Sequence, residues 1–157
     1  MNTFRSLLLV ASLICGALPL SAQVVTKTSV SLELAKKIAA KAEAEAANRK
    51  WTVVIVIVDD GGNLVYLEKM DGTQLGSIEV AQQKARTALK FKRPTKVFED
   101  AVAGGRNALL SLPDAMLIEG GVPLVVNGAY IGAIGVSGMK SNEDGMIAEA
   151  GLSALTP

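Results

Sequence analysis

The stretch GGVPLVVNGAYIGAIGVSG, residues 120–138, predicts a β-hairpin. Two apolar runs, 122–126 and 129–136, flank the dipeptide Asn127-Gly128. A two-residue Asn-Gly connection suits a type I′ turn, whose central residues both need positive φ. Glycines bracket the hairpin: Gly120 and Gly121 lead in, while Gly135 and Gly138 flank Ser137 on the way out. Such glycines either let backbone N–H groups approach a ligand closely or serve only turns and tight packing.

Working back from the hairpin, residues 106–114 are ambiguous and 114–119 predict a short strand leading into it. Before them, Pro94 breaks a helix predicted from a Ser77 cap to Phe91, and Thr95 caps a short helix to Ala103. Lys92 and Arg93 place positive charge at the C-terminal end of the longer helix, where its dipole favours cations. That helix carries an apolar stripe, Ile78, Ala81, Ala85, Ala88 and Leu89. A second stripe, Val80, Lys84, Thr87 and Phe91, sets a lysine among apolar neighbours. Its stem is expected to lie on the surface with the ammonium in water; held in a pocket instead, Lys84 would bind a carboxylate.

Further upstream, TVVIVIV at 52–58 is an unbroken β-branched run, which predicts a strand covered on both faces. Asp59 to Asn63 forms a turn and 64–70 returns as a second strand. Asp59 and Asp60 invite a metal or acid-base role, but at a Gly-Gly turn aspartates serve first to bond local N–H groups. Residues 31–48 predict a helix capped by Ser31, with Leu34, Ile38, Ala42 and Ala46 at helical spacing. Downstream of the hairpin, a last helix runs from Ser141 or Asn142 to about Leu155. Ser141 and Asp144 match a capping-box spacing, so Asp144 has a structural explanation before a binding one. Together these elements predict a single α+β domain, an antiparallel sheet with helices on both faces.

The first 22 residues carry the marks of a secretory signal peptide. Arg5 supplies the positive start, 6–20 the apolar region, and Leu20-Ser21-Ala22 a small-residue cleavage site. The apolar run is short for a membrane span and contains Gly16 and Pro19. The expected location is therefore periplasmic or secreted, with a mature domain of residues 23–157 and no transmembrane span. Cleavage removes Cys15, the one cysteine, and with it thiolate and disulfide chemistry. It also removes one of 16 basic residues, leaving 15 against 15 acidic, a balance that argues against nucleic-acid binding. The chain has no histidine, which excludes Ser-His-Asp and Cys-His catalysis and the usual zinc sites. An enzyme is accordingly the less favoured class.

Three segments carry a family resemblance: VVIVIVDDGGNLVYLEKMDG at 53–72, AQQKARTALKFKRPT at 81–95, and the hairpin with the trailing Asp144 and IAEAGL at 147–152. Together they resemble the haem-binding uptake-and-sensor proteins, the GlcG-like or haem-degrading-domain family, related to the C-terminal domain of PduO-type proteins. The resemblance implies a profilin-like sandwich, homo-oligomers, and haem or a related tetrapyrrole as ligand for some members. Two residues depart from the family pattern: Asn63, where members often carry histidine, and Met139, where they usually carry glycine.

On that resemblance the first functional expectation is an exported haem- or tetrapyrrole-binding protein acting as a homo-oligomer. Lys84 and Arg93 would hold propionates, Gly120, Gly121, Pro123, Ser137 and Gly138 would line the hairpin ends, and Asp144 would join them. With no histidine, iron ligation would fall to the Met139 thioether, a tyrosine, a lysine, or a weak oxygen donor such as Thr95 or Ser137. A second expectation is a small organic-acid binder or enzyme, using the glycine-rich backbone and Lys84 as an anion cradle with Asp144 or Glu119 as base. A third is a non-enzymatic structural or sensory oligomer.

Overall fold

A computed structural model describes residues 25–155 of the chain; the expected signal peptide and Cys15 lie outside the described residues. Helix α1, Leu32–Asn48, opens with the Ser31 Oγ accepting the Leu34 N–H at 3.2 Å, the expected cap. It buries Ala35, Ile38, Ala39, Ala42 and Ala46. The small alanines bring its axis close to the sheet.

Strand β1, Val54–Asp59, is buried throughout its β-branched run, with Val54 to Val58 all at 0% exposure. Successive side chains point to opposite faces. Val54, Val56 and Val58 join one core cluster, while Ile55 and Ile57 join another. The unbroken apolar run thus signals a two-sided strand. β1 returns through a Gly61-Gly62 turn to β2, Leu64–Lys69. In that turn Asp59 Oδ1 accepts the N–H groups of Gly61 at 2.9 Å and Asn63 at 2.8 Å, so this aspartate serves the turn.

Helix α2, Ser77–Phe91, packs Ala81, Ala85 and Ala88 against the valine face of β1. Helix α3, Lys96–Ala103, and a 3₁₀ turn at Asn107–Ser111 follow. The hairpin is as the sequence predicts: β3, Gly121–Val126, and β4, Ala129–Ser137, joined by Asn127 at φ 50° and Gly128 at φ 78°. Both turn residues are left-handed, as type I′ requires. Helix α4, Ser141–Gly151, and a 3₁₀ turn at Leu152–Leu155 close the described chain.

The sheet runs β2-β1-β4-β3 and every pairing is antiparallel. Helix α2 covers one face, and α1 with α4 covers the other. The fold is α+β with helices on both faces.

Three local expectations need correction. Residues 114–119 form no strand: the Met116 N–H donates to Thr87 Oγ1 at 2.8 Å and the Glu119 N–H to a Glu99 carboxylate, so side chains of α2 and α3 take the place of a ladder. Neither Ser77 nor Thr95 caps its helix by its side chain. Helix α4 is capped by Glu143, whose carboxylate accepts the Lys140 N–H at 3.1 Å, while Ser141 Oγ donates to Glu99 Oε1 at 2.7 Å. Asp144 is thereby released from the capping role that its spacing proposed.

Candidate functional site

The two ends of the β3–β4 hairpin meet the middle of α2 and the first turn of α4. Lys84 reaches this junction from α2, and it is 1% exposed. Its Nζ donates to Asp144 Oδ2 at 2.8 Å and to the Val136 carbonyl at 3.0 Å. Asp144, 2% exposed, accepts the Met139 N–H on its other oxygen at 2.9 Å. Lys84 is therefore not a surface lysine with its ammonium in water. The side chain is buried at this junction, and the carboxylate of α4 holds its head. Burial pushes the Asp144 carboxyl up, more than the attraction and hydrogen bond of Lys84 and the N–H groups of Met139 and Gly138 hold it down.

The glycine pair is explained by the same junction. Gly120 has φ 126°, and a Cβ there would lie 2.8 Å from Lys84 Nζ and 3.0 Å from the Asp144 Cβ. A Cβ on Gly121 would lie 2.8 Å from the Thr95 methyl and run into the Lys84 backbone carbonyl. Thr95 completes the contact: its N–H donates to the Gly121 carbonyl and its Oγ1 accepts the Gly121 N–H, each at 2.9 Å. The close approach that glycine permits here is made by the chain's own α2 and Thr95.

Lys84, Thr95, Gly120, Gly121 and Asp144 are brought together. The remaining candidates sit around them. Ser137 Oγ meets Ser77 Oγ at 3.2 Å, and the Gly138 carbonyl accepts from Gln74 Nε2 at 3.1 Å. Pro123 is buried in β3 opposite Ala133. Arg93 points elsewhere: Nε donates to the Phe91 carbonyl at 3.1 Å and the guanidinium lies 5.7 Å from the Phe98 ring centroid. Met139 is 37% exposed, just beyond β4. Among the described residues no group of three or more cysteines, aspartates or glutamates is arranged to hold a metal ion.

Two concavities flank the hairpin, one at this junction and one at its turn end. One, of about 310 Å³, opens beside Gly120 and Gly121 and carries Lys96, Glu119 and Glu149. Lys96 Nζ lies 3.0 Å from Asp100 and 3.4 Å from Glu119, which raise its affinity for a proton. Burial, and then the neighbouring Glu119, push the Glu149 carboxyl up. The other, of about 800 Å³, lies between the Gly61-Gly62 and Asn127-Gly128 turns at the C-terminal end of α2, and Arg86, Lys90, Lys92 and Tyr130 line it. Sequence reading missed this cleft, because its walls come from separate segments. Its one visible signal was Lys92, which, with Arg93, helix-dipole chemistry alone explained.

This architecture, a four-stranded antiparallel sheet between helices with a buried Lys–Asp pair at one end, defines a small α+β domain. The family profile described as "Haem degrading protein HbpS-like" matches residues 30–153, and the chain belongs to this family. It is 43% identical to protein GlcG of Escherichia coli strain K12 over 112 residues, 71% of this chain and 84% of that protein. The fold superposes on a double mutant of Streptomyces reticuli HbpS with TM-score 0.79 at 30% identity, covering 90% of this chain and 99% of that one. It also superposes on the PduOC–haem complex with TM-score 0.74 at 28% identity, covering 82% and 96%.

Proposed function

We propose that the protein is an exported haem- or tetrapyrrole-binding protein that works as a homo-oligomer. The observation that carries this reading is membership of the HbpS-like family over residues 30–153, joined to a close structural likeness to PduOC, whose structure contains haem. Ligand pockets span about 300–1,000 Å³. The cleft of about 800 Å³ has room for a macrocycle, and the cleft of about 310 Å³ lies at the bottom of that range.

Among the described residues, the larger cleft carries no histidine, cysteine or methionine for the iron, so the reading there is of a porphyrin held by its face and edges. The chain has no histidine, and none of the described residues is cysteine. Bound haem supplies the iron and its redox chemistry; this chain contributes binding and partial exclusion of water. The anion-cradle alternative finds little free hydrogen-bonding capacity at the hairpin ends. Lys84 is engaged by Asp144, the Gly121 N–H by Thr95, and the Met139 N–H by Asp144.

Titrating the purified protein with hemin tests the reading. The expected result is a saturable shift of the Soret band at micromolar hemin, and a linear, unsaturated response would remove it. Native mass spectrometry of material from the producing cell tests the remainder. The expected species is a multimer of chains lacking residues 1–22.

A further inference from the structure

We infer that the cleft between the two hairpin turns is an anion site that takes the carboxylate edge of the ligand, with Arg86, Lys90, Lys92 and Lys27 as its cations. The inference rests on the tetrapyrrole reading and locates its carboxylates away from Lys84. Four cationic side chains line this cleft against one carboxylate, Asp60. Among the described residues no carboxylate forms an ion pair with Lys27, Arg86 or Lys92, and Lys90 has only a long contact of 3.8 Å to the exposed Asp114.

The cations are also placed. Arg86 Nε donates to the Gly62 carbonyl at 3.1 Å, which anchors the guanidinium at the Gly-Gly turn and leaves its terminal N–H groups for a carboxylate. Lys90 lies one helical turn further along α2. Lys92 follows in a left-handed conformation at the end of the helix, its Nζ 5.2 Å from the Tyr130 ring centroid. Helix-dipole chemistry accounts for cations in the last turn of α2. It does not account for Arg86 more than a turn earlier, nor for Lys27 arriving from outside the helix. Leu89 and the Tyr130 ring give the same cleft an apolar surface for a planar ligand. Lys84, by contrast, already has a buried carboxylate partner that an incoming propionate would have to displace.

The test compares protoporphyrin IX, which carries two carboxylates, with its dimethyl ester, which carries none, by fluorescence titration of the full chain. The wild type is expected to bind the acid saturably and more tightly than the ester. The Arg86→Gln/Lys92→Gln variant is expected to lose about tenfold or more in affinity for the acid, with ester binding unchanged. Both side chains are exposed, and an unchanged melting curve checks that the variant folds. The Lys36→Gln/Lys41→Gln variant, which removes the same charge from α1, should bind the acid as the wild type does. Wild-type affinity in the cleft variant, an equal loss in the α1 variant, or equal binding of acid and ester would each overturn the anion site. In those cases porphyrin binding itself stands. No saturable porphyrin binding by the wild type would overturn both readings.

Discussion

Lys84 is the largest fully buried side chain among the described residues, and its position sets what the hairpin ends can do. Its pair with Asp144 lies out of water on both sides, at 2% and 3% side-chain exposure. Desolvation of two charges offsets most of their attraction, so such a pair adds little net stability, yet breaking it strands a charge. Asp144→Ala leaves the Lys84 ammonium with the Val136 carbonyl alone and is expected to destabilise the fold by about 3–5 kcal/mol. Lys84→Met strands the carboxylate with the Met139 and Gly138 N–H groups and should cost a similar amount. The double variant Lys84→Met/Asp144→Leu removes both charges together. Its loss should fall short of the sum of the singles by about 1–3 kcal/mol in urea denaturation. Strict additivity would mean that the two groups do not act as a pair.

At the scale of elements, the contact between α2 and β4 depends on small residues facing each other. A Cβ added at Gly135 would lie 2.7 Å from the Ala85 backbone nitrogen and run into the Ala81 carbonyl. Gly135→Ala therefore forces α2 off the sheet and is expected to cost at least about 2–3 kcal/mol. Gly76→Ala, where nothing lies within 4 Å and φ is −60°, should be neutral or slightly stabilising. Thermal melts of the two variants make the comparison directly. Elements with local causes were legible in the sequence: the Asn127-Gly128 turn, the two-sided β1, and α1 behind its Ser31 cap. Segment 114–119 was not, because its amides bond to Thr87 and Glu99, distant in sequence. The site was half legible. Lys84 stood out among apolar neighbours on its stripe, but its depth and its Asp144 partner, 60 residues away, come only from the way the ends of β3 and β4 bring the start of α4 to the middle of α2. The cation cleft was missed for the same reason, since Lys27, Arg86 and Lys92 converge only after the two turns fold over the end of α2.

For the whole molecule, the acidic groups predict an unusual direction of stability with pH. Burial raises the carboxyls of Asp144 and Glu149, the latter helped by Glu119, and repulsion from Glu68 followed by burial raises that of Glu43. Between the ordinary carboxylate range and their raised values, these groups bind more protons in the native chain than in the unfolded one. Their contribution to the free energy of unfolding therefore falls as pH rises through that window. Asp59 works in the opposite sense, because hydrogen bonds from Asn63, Gly61 and Gly62 outweigh its desolvation. Glu33, bonded to Lys37, also opposes the trend, but its pair is at the surface, where salt and water weaken it. The contribution of Asp144 is isolated by Asp144→Asn, which cannot titrate. The wild-type stability minus that of Asp144→Asn should be greatest in the ordinary carboxylate range and decrease as pH rises above it, measured by urea denaturation. The slope of that difference with pH, rather than the absolute stabilities, carries the comparison. A difference that grows toward neutral pH would show that attraction to Lys84 outweighs burial, and would reverse the direction assigned to Asp144.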